Sequence, residues 1–176
     1  MSYTPILPAS GYAGWKLLNR TMDTQKAAFT SSAEMQRDED YFREKIGSIN
    51  TADDLVADRR LLKVALGAFG LDADIDNKFF IKKILDEGTL DASALANKLA
   101  DKTYLKLSQA FGFGDYSTPR TGLSGFADEI LAQYEERQFE IAVGESDDTL
   151  RLAMAAQREL PEIAGTSSSD NTKWYS

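Results

Sequence analysis

The densest apolar pattern of the chain lies just before its middle. Residues 61–69 read Leu-Leu-Lys-Val-Ala-Leu-Gly-Ala-Phe, so a helix there is apolar almost all round, and such helices are normally buried. Gly70 suits the left-handed position that follows a helix, and Leu71 lies one turn from Leu66, which is the pattern of a Schellman stop. The sequence therefore predicts a buried helix that ends at Gly70.

A capping pattern precedes this helix, and a second apolar helix follows it. Thr51 with Asp54 three residues later resembles a capping box, so the helix is predicted to begin near Ala52 and to continue through the apolar run. The second helix is expected to end at Gly88. Its apolar face consists of Phe80, Ile81, Ile84 and Leu85. Together the two helices predict a central helical hairpin from Ala52 to Leu85.

Two more helices are predicted before the hairpin. Residues 1–10 contain two prolines and read as an extended lead-in, whereas residues 11–30 have helical spacing. Ser32 is positioned to cap the next helix, and the charged run 37–40 is interpreted as its solvated face. That helix directs three apolar residues to the core, namely Met35, Phe42 and Ile46. One long helix with a kink near residue 31 is an alternative.

Four helices are predicted after the hairpin. Asp91 and Asp101 are expected to cap two short ones, and the glycine-rich loop at residues 112–122 is the candidate subdomain boundary. The longest helix is predicted over residues 123–143, ended by Gly144. Its apolar line consists of Leu123, Ala127, Ile130, Tyr134 and Ile141.

The last predicted helix is capped by Ser146 and stopped by Pro161. Residues 164–176 are mostly small and polar, which predicts a flexible tail. No period-two alternation of the kind expected for a strand persists. The fold class is therefore predicted to be all-α, with residues 1–163 forming a single helical domain of six to eight helices around the central hairpin.

Composition narrows the chemistry that the chain could support. It contains no cysteine and no histidine, so disulfides, thiolate catalysis, zinc-thiolate sites and histidine general bases are excluded. We therefore expect no enzyme activity, no metal and no cofactor. An enzyme that works with lysine and carboxylate groups alone is kept as an alternative.

Charge is distributed unevenly along the chain. The net charge is −8, and residues 121–176 hold 4 basic and 11 acidic side chains. This negative field disfavours nucleic acid and anionic membrane surfaces and favours a protein partner with a basic surface. The sequence shows no apolar run near the ~20 residues that span a bilayer, so no membrane insertion is expected. We also expect no cleavable signal of the usual kind, because the N-terminus lacks a basic region followed by an apolar one.

Two groups of charged residues resemble catalytic or metal sites. Asp72, Asp74 and Asp76 have the spacing of the first ligands of an EF-hand loop, but its glycine and closing glutamate are replaced by Asn77 and Lys83. Helix capping is the preferred interpretation of these aspartates. A second group forms ordinary helix-surface pairs, although it could also be assembled into an acid-base pair. Its members are Lys78, Lys82, Lys83, Asp86, Glu87 and Asp91.

Four aromatic residues near the chain ends are candidates for a partner surface. Tyr12 and Trp15 lie on the glycine-interrupted first helix, where packing on the chain's own core is the preferred interpretation. Trp174 and Tyr175 follow the polar tail, and such rings are costly to leave in water. We expect them to be the severed start of another element, so that the chain would be a piece of a longer protein.

Arg59 lies near the main apolar stripe of the central helix. A cation at such a position either pairs with a carboxylate or extends its head group to the edge of the apolar surface. We expect Arg59 to do one or the other.

Several stretches resemble a bacterial family catalogued only as a domain of unknown function. The most distinctive is Asp58–Gly88, with Leu-Leu-Lys-Val-Ala-Leu, Ala-Phe-Gly-Leu-Asp and Asn-Lys-Phe. It continues with Ala-Asn-Lys-Leu-Ala-Asp at 96–101, and residues 137–161 are similar too. Members are often encoded near flagellar genes in alphaproteobacteria, so the resemblance implies a flagellum-associated role without implying catalytic residues.

These observations favour a non-enzymatic protein-interaction or assembly module. A helical small-ligand-binding domain is the alternative, and the lysine and carboxylate enzyme is the less favoured one. A homo-oligomer is left open. The expected location is the cytoplasm, with flagellar association or export without a cleavable signal as alternatives.

Overall fold

The computed structural model describes residues 3–167, with side chains described for residues 3–160. This part of the chain is all-α: it contains nine α-helices and three short 3-10 turns, and no strand. The helices are α1 (Gly11–Thr30), α2 (Ala33–Lys45), α3 (Ala52–Ala57), α4 (Arg59–Ala68), α5 (Lys78–Glu87), α6 (Leu95–Lys98), α7 (Thr103–Phe111), α8 (Phe126–Ser146) and α9 (Asp148–Ser167). The predicted fold class is confirmed.

The described chain divides into two compact units. Unit 1 comprises Thr30–Gln138, and unit 2 comprises Tyr3–Phe29 together with the described part of Phe139–Ser176. The glycine-rich loop at residues 112–122 lies inside unit 1. Unit 1 is therefore continuous in sequence, whereas unit 2 is assembled from two separate stretches.

Helices α3, α4 and α5 form the centre of unit 1. Helix α3 packs against both α4 and α5, while α2 packs on α4 and α7 packs on α5. The side chains of α4 are buried over most of its length, as the apolar run predicts. Its fully buried residues include Leu61, Leu62, Ala65 and Leu66.

The sequence predicts one continuous helix from Ala52 through the apolar run, and this is wrong. The structure has two helices there, α3 and α4, separated at Asp58. Asp58 has an extended backbone, with φ −92° and ψ 102°, and its Oδ1 accepts hydrogen bonds from the backbone N–H groups of Arg60 (2.9 Å) and Leu61 (3.1 Å). These two donors have no partner inside the helix, so a side-chain cap satisfies them. The cap starts α4 as a separate helix and raises the helix count to nine. The predicted capping box of Thr51 and Asp54 is present at the start of α3.

Replacing Asp58 by alanine is expected to lower the free energy of unfolding by about 0.5–2 kcal/mol, the usual cost of losing an N-cap. Asp58 also accepts a hydrogen bond from the Tyr41 hydroxyl at 2.6 Å, so the upper part of that range is expected. Chemical denaturation measures the change. Asp58→Asn keeps one cap acceptor and should recover most of the loss, and equal losses for both variants would contradict the capping role.

The stop of α4 is the Schellman motif that the sequence predicts. Gly70 has φ +72°, the Leu71 N–H donates to the Leu66 carbonyl at 2.9 Å, and the Gly70 N–H donates to the Gly67 carbonyl at 3.2 Å. Leu66 and Leu71 are both buried. The predicted stop of α5 is also confirmed, because Gly88 follows its last residue with φ +66°.

The N-terminal helices α1 and α2 are separate, as the first of the two sequence interpretations has it. Ser32 has the extended backbone of an N-cap but makes no side-chain capping bond, so its predicted role as a capping side chain is wrong. The three apolar residues predicted to face the core, Met35, Phe42 and Ile46, are buried.

Helix α8 begins later and ends later than the sequence predicts. It starts at Phe126, so Leu123 precedes it and is 57% exposed, and Ile141 is 39% exposed rather than in the core. Gly144 does not end the helix. A Cβ atom there would lie 2.4 Å from Cδ of Arg151, so the glycine makes room for the stem of an arginine from α9.

Both predicted limits of α9 are corrected. Asp147, rather than Ser146, supplies the cap, because its Oδ1 accepts from the backbone N–H groups of Thr149 (3.0 Å) and Leu150 (3.2 Å). At the other end the helix continues through Pro161. A proline lacks the N–H donor, but its φ near −65° is compatible with helical backbone.

The core of unit 2 is formed by α1, the second half of α8 and α9. Its buried members are Leu18, Phe139, Val143, Leu150 and Met154, and the partly buried residues packed against them are Leu7, Trp15, Met22 and Phe29. The buried carboxylate of Glu140 is paired with Arg158, whose Nε lies 2.7 Å from Glu140 Oε1. Unit 2 therefore has an apolar cluster and a buried ion pair of its own.

Among residues 3–167, no helix has the length and the apolar character that crossing a bilayer would need.

Candidate functional site

Several carboxylates lie between α2 and α8 in unit 1. Two contacts join these helices: Arg43 Nε lies 3.2 Å from Asp128 Oδ1, and the Tyr134 hydroxyl donates to Asp38 Oδ2 at 3.3 Å. Burial, together with the nearby Asp38 carboxylate, raises the pKa of Tyr134. The charged side of α2, which the sequence presents as solvated, therefore partly faces another helix.

Glu39 is the central residue of this contact. Its side chain is only 12% exposed, its Oε1 atom is buried without a hydrogen-bond partner among the described residues, and its Oε2 atom lies 3.4 Å from Nη1 of Arg43. Burial raises the pKa of Glu39 above its ordinary value, and the carboxylates of Glu135 and Asp40 raise it further. We call Glu39, Asp40 and Glu135 the acidic seam.

A buried carboxylate without enough partners is uncommon in proteins. Most buried polar atoms are hydrogen-bonded, and leaving one unpaired costs free energy. The neighbouring Asp38 shows the ordinary arrangement, since Lys63 Nζ lies 2.7 Å from its Oδ2. The acidic seam is thus a local excess of negative charge that unit 1 does not neutralise fully.

The raised pKa of Glu39 predicts a pH-dependent effect of its removal. The folded state binds the Glu39 proton more tightly than the unfolded chain does, so this group's contribution to stability is present at low pH and is lost as pH rises through the folded-state pKa. Glu39→Gln is therefore expected to have a higher Tm than the parent chain at pH 7, and the difference should shrink towards pH 4. Thermal unfolding over this pH range measures it.

Glu44→Gln on the same helix is the matched control. Glu44 is exposed, and its hydrogen bond with Lys45 lowers its pKa, so neutralising it should give no rise in Tm at pH 7. A Glu39→Gln variant that is less stable than the parent chain at pH 7 would show that the Arg43 contact outweighs burial.

A separate cavity of about 440 Å³ lies at the start of α4. Three cationic and two apolar side chains line it together with one carboxylate, namely Arg59, Arg60, Lys63, Leu66, Ile75 and Asp72. Each cation also has a partner within the chain. The Arg60 guanidinium, for example, lies 4.0 Å from the centre of the Tyr41 ring and donates to the Arg37 carbonyl.

The aspartates with EF-hand spacing face different protein partners. Asp72 Oδ1 accepts a hydrogen bond from Gln138 Nε2 at 2.9 Å, and Asp74 Oδ2 accepts one from the Tyr104 hydroxyl at 2.7 Å. The second bond raises the pKa of Tyr104 to about 12, with burial adding to the effect. These two carboxylates join the turn after α4 to α8 and α7.

The third aspartate, Asp76, pairs with Arg59 at 2.6 Å, so the prediction that Arg59 pairs with a carboxylate is confirmed. The interpretation of these aspartates as helix caps is wrong: the N-cap residue of α5 is Asn77, and it makes no side-chain capping bond. Among the described residues, no group of three or more acidic side chains is arranged as a metal site.

Two lysines of α5, Lys82 and Lys83, form surface pairs. Lys82 Nζ lies 2.7 Å from Asp86 and 3.2 Å from Asp53, and Lys83 Nζ lies 3.7 Å from Glu87. The hydrogen bond with Asp86, followed by that with Asp53, raises the pKa of Lys82. An ammonium group that is held charged in this way is a poor general base.

The predicted aromatic surface is divided. Tyr12 is 73% exposed, with Lys16 Nζ 5.2 Å from its ring centre, whereas Trp15 is partly buried against the unit 2 core. Trp174 and Tyr175 lie outside the described residues. Lys16 and Arg20 are exposed on α1, so this face is locally basic and does not match the predicted basic partner.

The described residues define an all-helical protein with an acidic seam on unit 1. The chain belongs to the family described as "Protein of unknown function (DUF1217)", whose model matches residues 68–169. It is similar to the X-ray crystal structure of protein AGR_C_984 from Agrobacterium tumefaciens, with a TM-score of 0.78 and 29% sequence identity. The match covers 90% of this chain and 71% of that one. No curated protein matches the chain.

Proposed function

We propose that this chain is a non-enzymatic protein-interaction or assembly module whose partner presents a basic surface. The observation that carries the proposal is the acidic seam, in which the mostly buried Glu39 lies beside the half-buried Glu135 and the exposed Asp40. An arginine or lysine from a partner would pair with the accessible carboxylates of Glu135 and Asp40 and reduce the repulsion between them and Glu39. Charge-assisted hydrogen bonds of this kind are among the strongest in interfaces.

The negative net charge of unit 1 also favours a partner with a basic surface. Residues 30–138 hold 20 acidic and 14 basic side chains, which gives −6 of the chain's total of −8. A field of this sign accelerates encounter with a basic protein and slows encounter with an acidic one. The complex is therefore expected to weaken as salt concentration rises.

The proposed setting is the bacterial flagellum, because the resemblance described above is to a family encoded near flagellar genes. The partner would then be a flagellar protein with an exposed arginine or lysine patch, in the cytoplasm or during assembly.

Affinity capture from a lysate of the native host tests this proposal. The parent chain, the Glu39→Gln/Glu135→Gln variant and the control Glu44→Gln are used as bait at low and moderate salt. A flagellar protein with a basic patch should bind to the parent chain and to Glu44→Gln, and it should be lost from the double variant and at moderate salt. Equal capture by all three baits, or capture of acidic partners only, would contradict the acidic seam as the interface.

A small anionic ligand is the second candidate, and the cavity at the start of α4 favours it. Three cations around an apolar floor suit a carboxylate or phosphate group with an apolar body. Such a ligand should raise Tm, because binding to the folded state alone stabilises it. Thermal-shift screening with phosphate esters and dicarboxylates tests this, and the rise should disappear in Arg59→Gln but persist in Lys83→Gln, which lies outside the cavity. No rise with any of them would contradict it.

A further inference from the structure

The outer side of α1 carries positive charge on a chain that is negative overall. Lys16 and Arg20 are both exposed and lie one helical turn apart. Within the part of the chain whose side chains are described, no carboxylate forms an ion pair with either of them. Residues 3–29 as a whole hold 3 basic side chains and 1 acidic one, whereas the net charge of the chain is −8.

Aromatic side chains border these two cations. Tyr12 is 73% exposed, and Lys16 Nζ lies 5.2 Å from the centre of its ring. Trp15 is partly exposed and lines an open depression on α1 together with Tyr12 and Arg20. Tyrosine, tryptophan and arginine are the residues that most often carry binding energy in protein interfaces. We call Tyr12, Trp15, Lys16 and Arg20 the basic face.

The acidic seam of unit 1 has the complementary charge. Its exposed Asp40 and half-buried Glu135 both raise the pKa of Glu39, so all three carboxylates lie close together. Two helix residues that are one turn apart have about 5–6 Å between their Cβ atoms. The two cations of the basic face are therefore spaced to meet two neighbouring carboxylates, one each.

We propose that the acidic seam binds the basic face of a second copy of this chain. This inference rests on the proposed function, because it takes the seam as a binding site for a basic surface. Lys16 and Arg20 of one copy pair with Asp40 and Glu135 of the next. A second copy is the one protein that is present wherever the seam is, and it carries the basic face at the same concentration.

The contact is heterologous, because the two surfaces that meet are different. A copy that is bound through its seam still has its basic face, so a further copy can be added in the same way. Exposed ion pairs are weak and are screened by salt. The assembly should therefore form at high protein concentration and low salt, and it should dissociate at moderate salt.

Sedimentation velocity over a range of protein concentrations tests the proposal. At low salt the sedimentation coefficient of the parent chain should rise with concentration, and at moderate salt it should stay at the value of one copy. Lys16→Gln/Arg20→Gln and Asp40→Asn/Glu135→Gln should each weaken the self-association by about tenfold.

Lys83→Gln/Lys98→Gln is the matched control for the basic-face variant. It also removes two positive charges, and both lysines are exposed on unit 1, away from α1. This variant should associate as the parent chain does. If it weakens association as much as the basic-face variant does, the effect comes from net charge and the proposal is wrong.

Mixing the basic-face variant with the seam variant distinguishes a heterologous contact from a symmetric one. The first retains an intact seam, and the second retains an intact basic face, so an equimolar mixture should recover association at low salt. Only pairs should form, because the two remaining surfaces are both disabled. A mixture in which association is not recovered would overturn the proposal, since like surfaces would then meet in the parent assembly.

Two other outcomes would also overturn it. One is a parent chain that stays a single copy at low salt; seam-dependent capture of another basic protein would then still support the proposed function, so the two failures are distinguishable. The other is binding of the parent chain to vesicles that contain anionic lipid, lost in Lys16→Gln/Arg20→Gln, without any self-association. The basic face would then meet a membrane surface rather than a second copy.

Discussion

Leu66→Ala is expected to lower the free energy of unfolding by about 2–5 kcal/mol. The Leu66 side chain has no exposed surface, and α4, which carries it, packs on both α2 and α3. Removing three heavy atoms from such a position forfeits their transfer free energy and leaves a cavity that the surrounding helices only partly close. Urea or guanidinium titration of the unfolding transition measures the loss.

Leu90→Ala is the matched control for this prediction. The same atoms are removed, but Leu90 is 76% exposed, so the change should lie within about 0.5 kcal/mol. A loss for Leu66→Ala as small as that of the control would mean that α4 is not at the centre of unit 1.

Gly67→Ala is expected to destabilise unit 1 by about 1–3 kcal/mol, the usual range for overpacking a core. A Cβ atom on Gly67 would lie 2.7 Å from Cε2 of Tyr134, a ring that is 1% exposed and held by its hydrogen bond to Asp38. Alanine is otherwise favoured over glycine inside a helix by roughly 0.5–1 kcal/mol. A loss of stability in Gly67→Ala would therefore support the close approach of α4 and α8 at this point, whereas a gain would contradict it.

Gly122→Ala separates the steric effect from the effect of glycine on the backbone. A Cβ atom there would meet nothing within 4 Å, so this variant should unfold close to the parent chain or slightly later. If Gly67→Ala stabilised the protein as much as Gly122→Ala does, the close contact between Gly67 and Tyr134 would be contradicted.

The features that the sequence predicts correctly depend on residues that are close to one another along the chain. The stop at Gly70 needs only a glycine and two leucines within one turn, and the capping box at Thr51 needs only an aspartate three residues on. The break at Asp58 was also local, but an aspartate inside a run of helical spacing can be a cap or an exposed helix residue. Only the hydrogen bonds to the following N–H groups distinguish the two.

The candidate site depends on contacts between distant parts of the sequence. Glu39 belongs to a charged run that is typical of a solvated helix face, and it is buried because α8, about 90 residues later, lies beside α2. The same applies to Gly144, which the sequence presents as a helix stop and which instead admits the side chain of Arg151. Neither outcome follows from periodicity or composition.

Unit 2 is assembled from two stretches that are far apart in the sequence, so its core forms late during synthesis on the ribosome. Its core brings Leu18 together with Phe139, which are about 120 residues apart, whereas unit 1 is one continuous stretch. Domains generally fold as units while the chain emerges, and contacts between distant residues form late. Helix α1 is therefore made before α8 and α9 and must wait for them before its apolar face is covered. Until then α1 lacks the packing partners that stabilise it in unit 2.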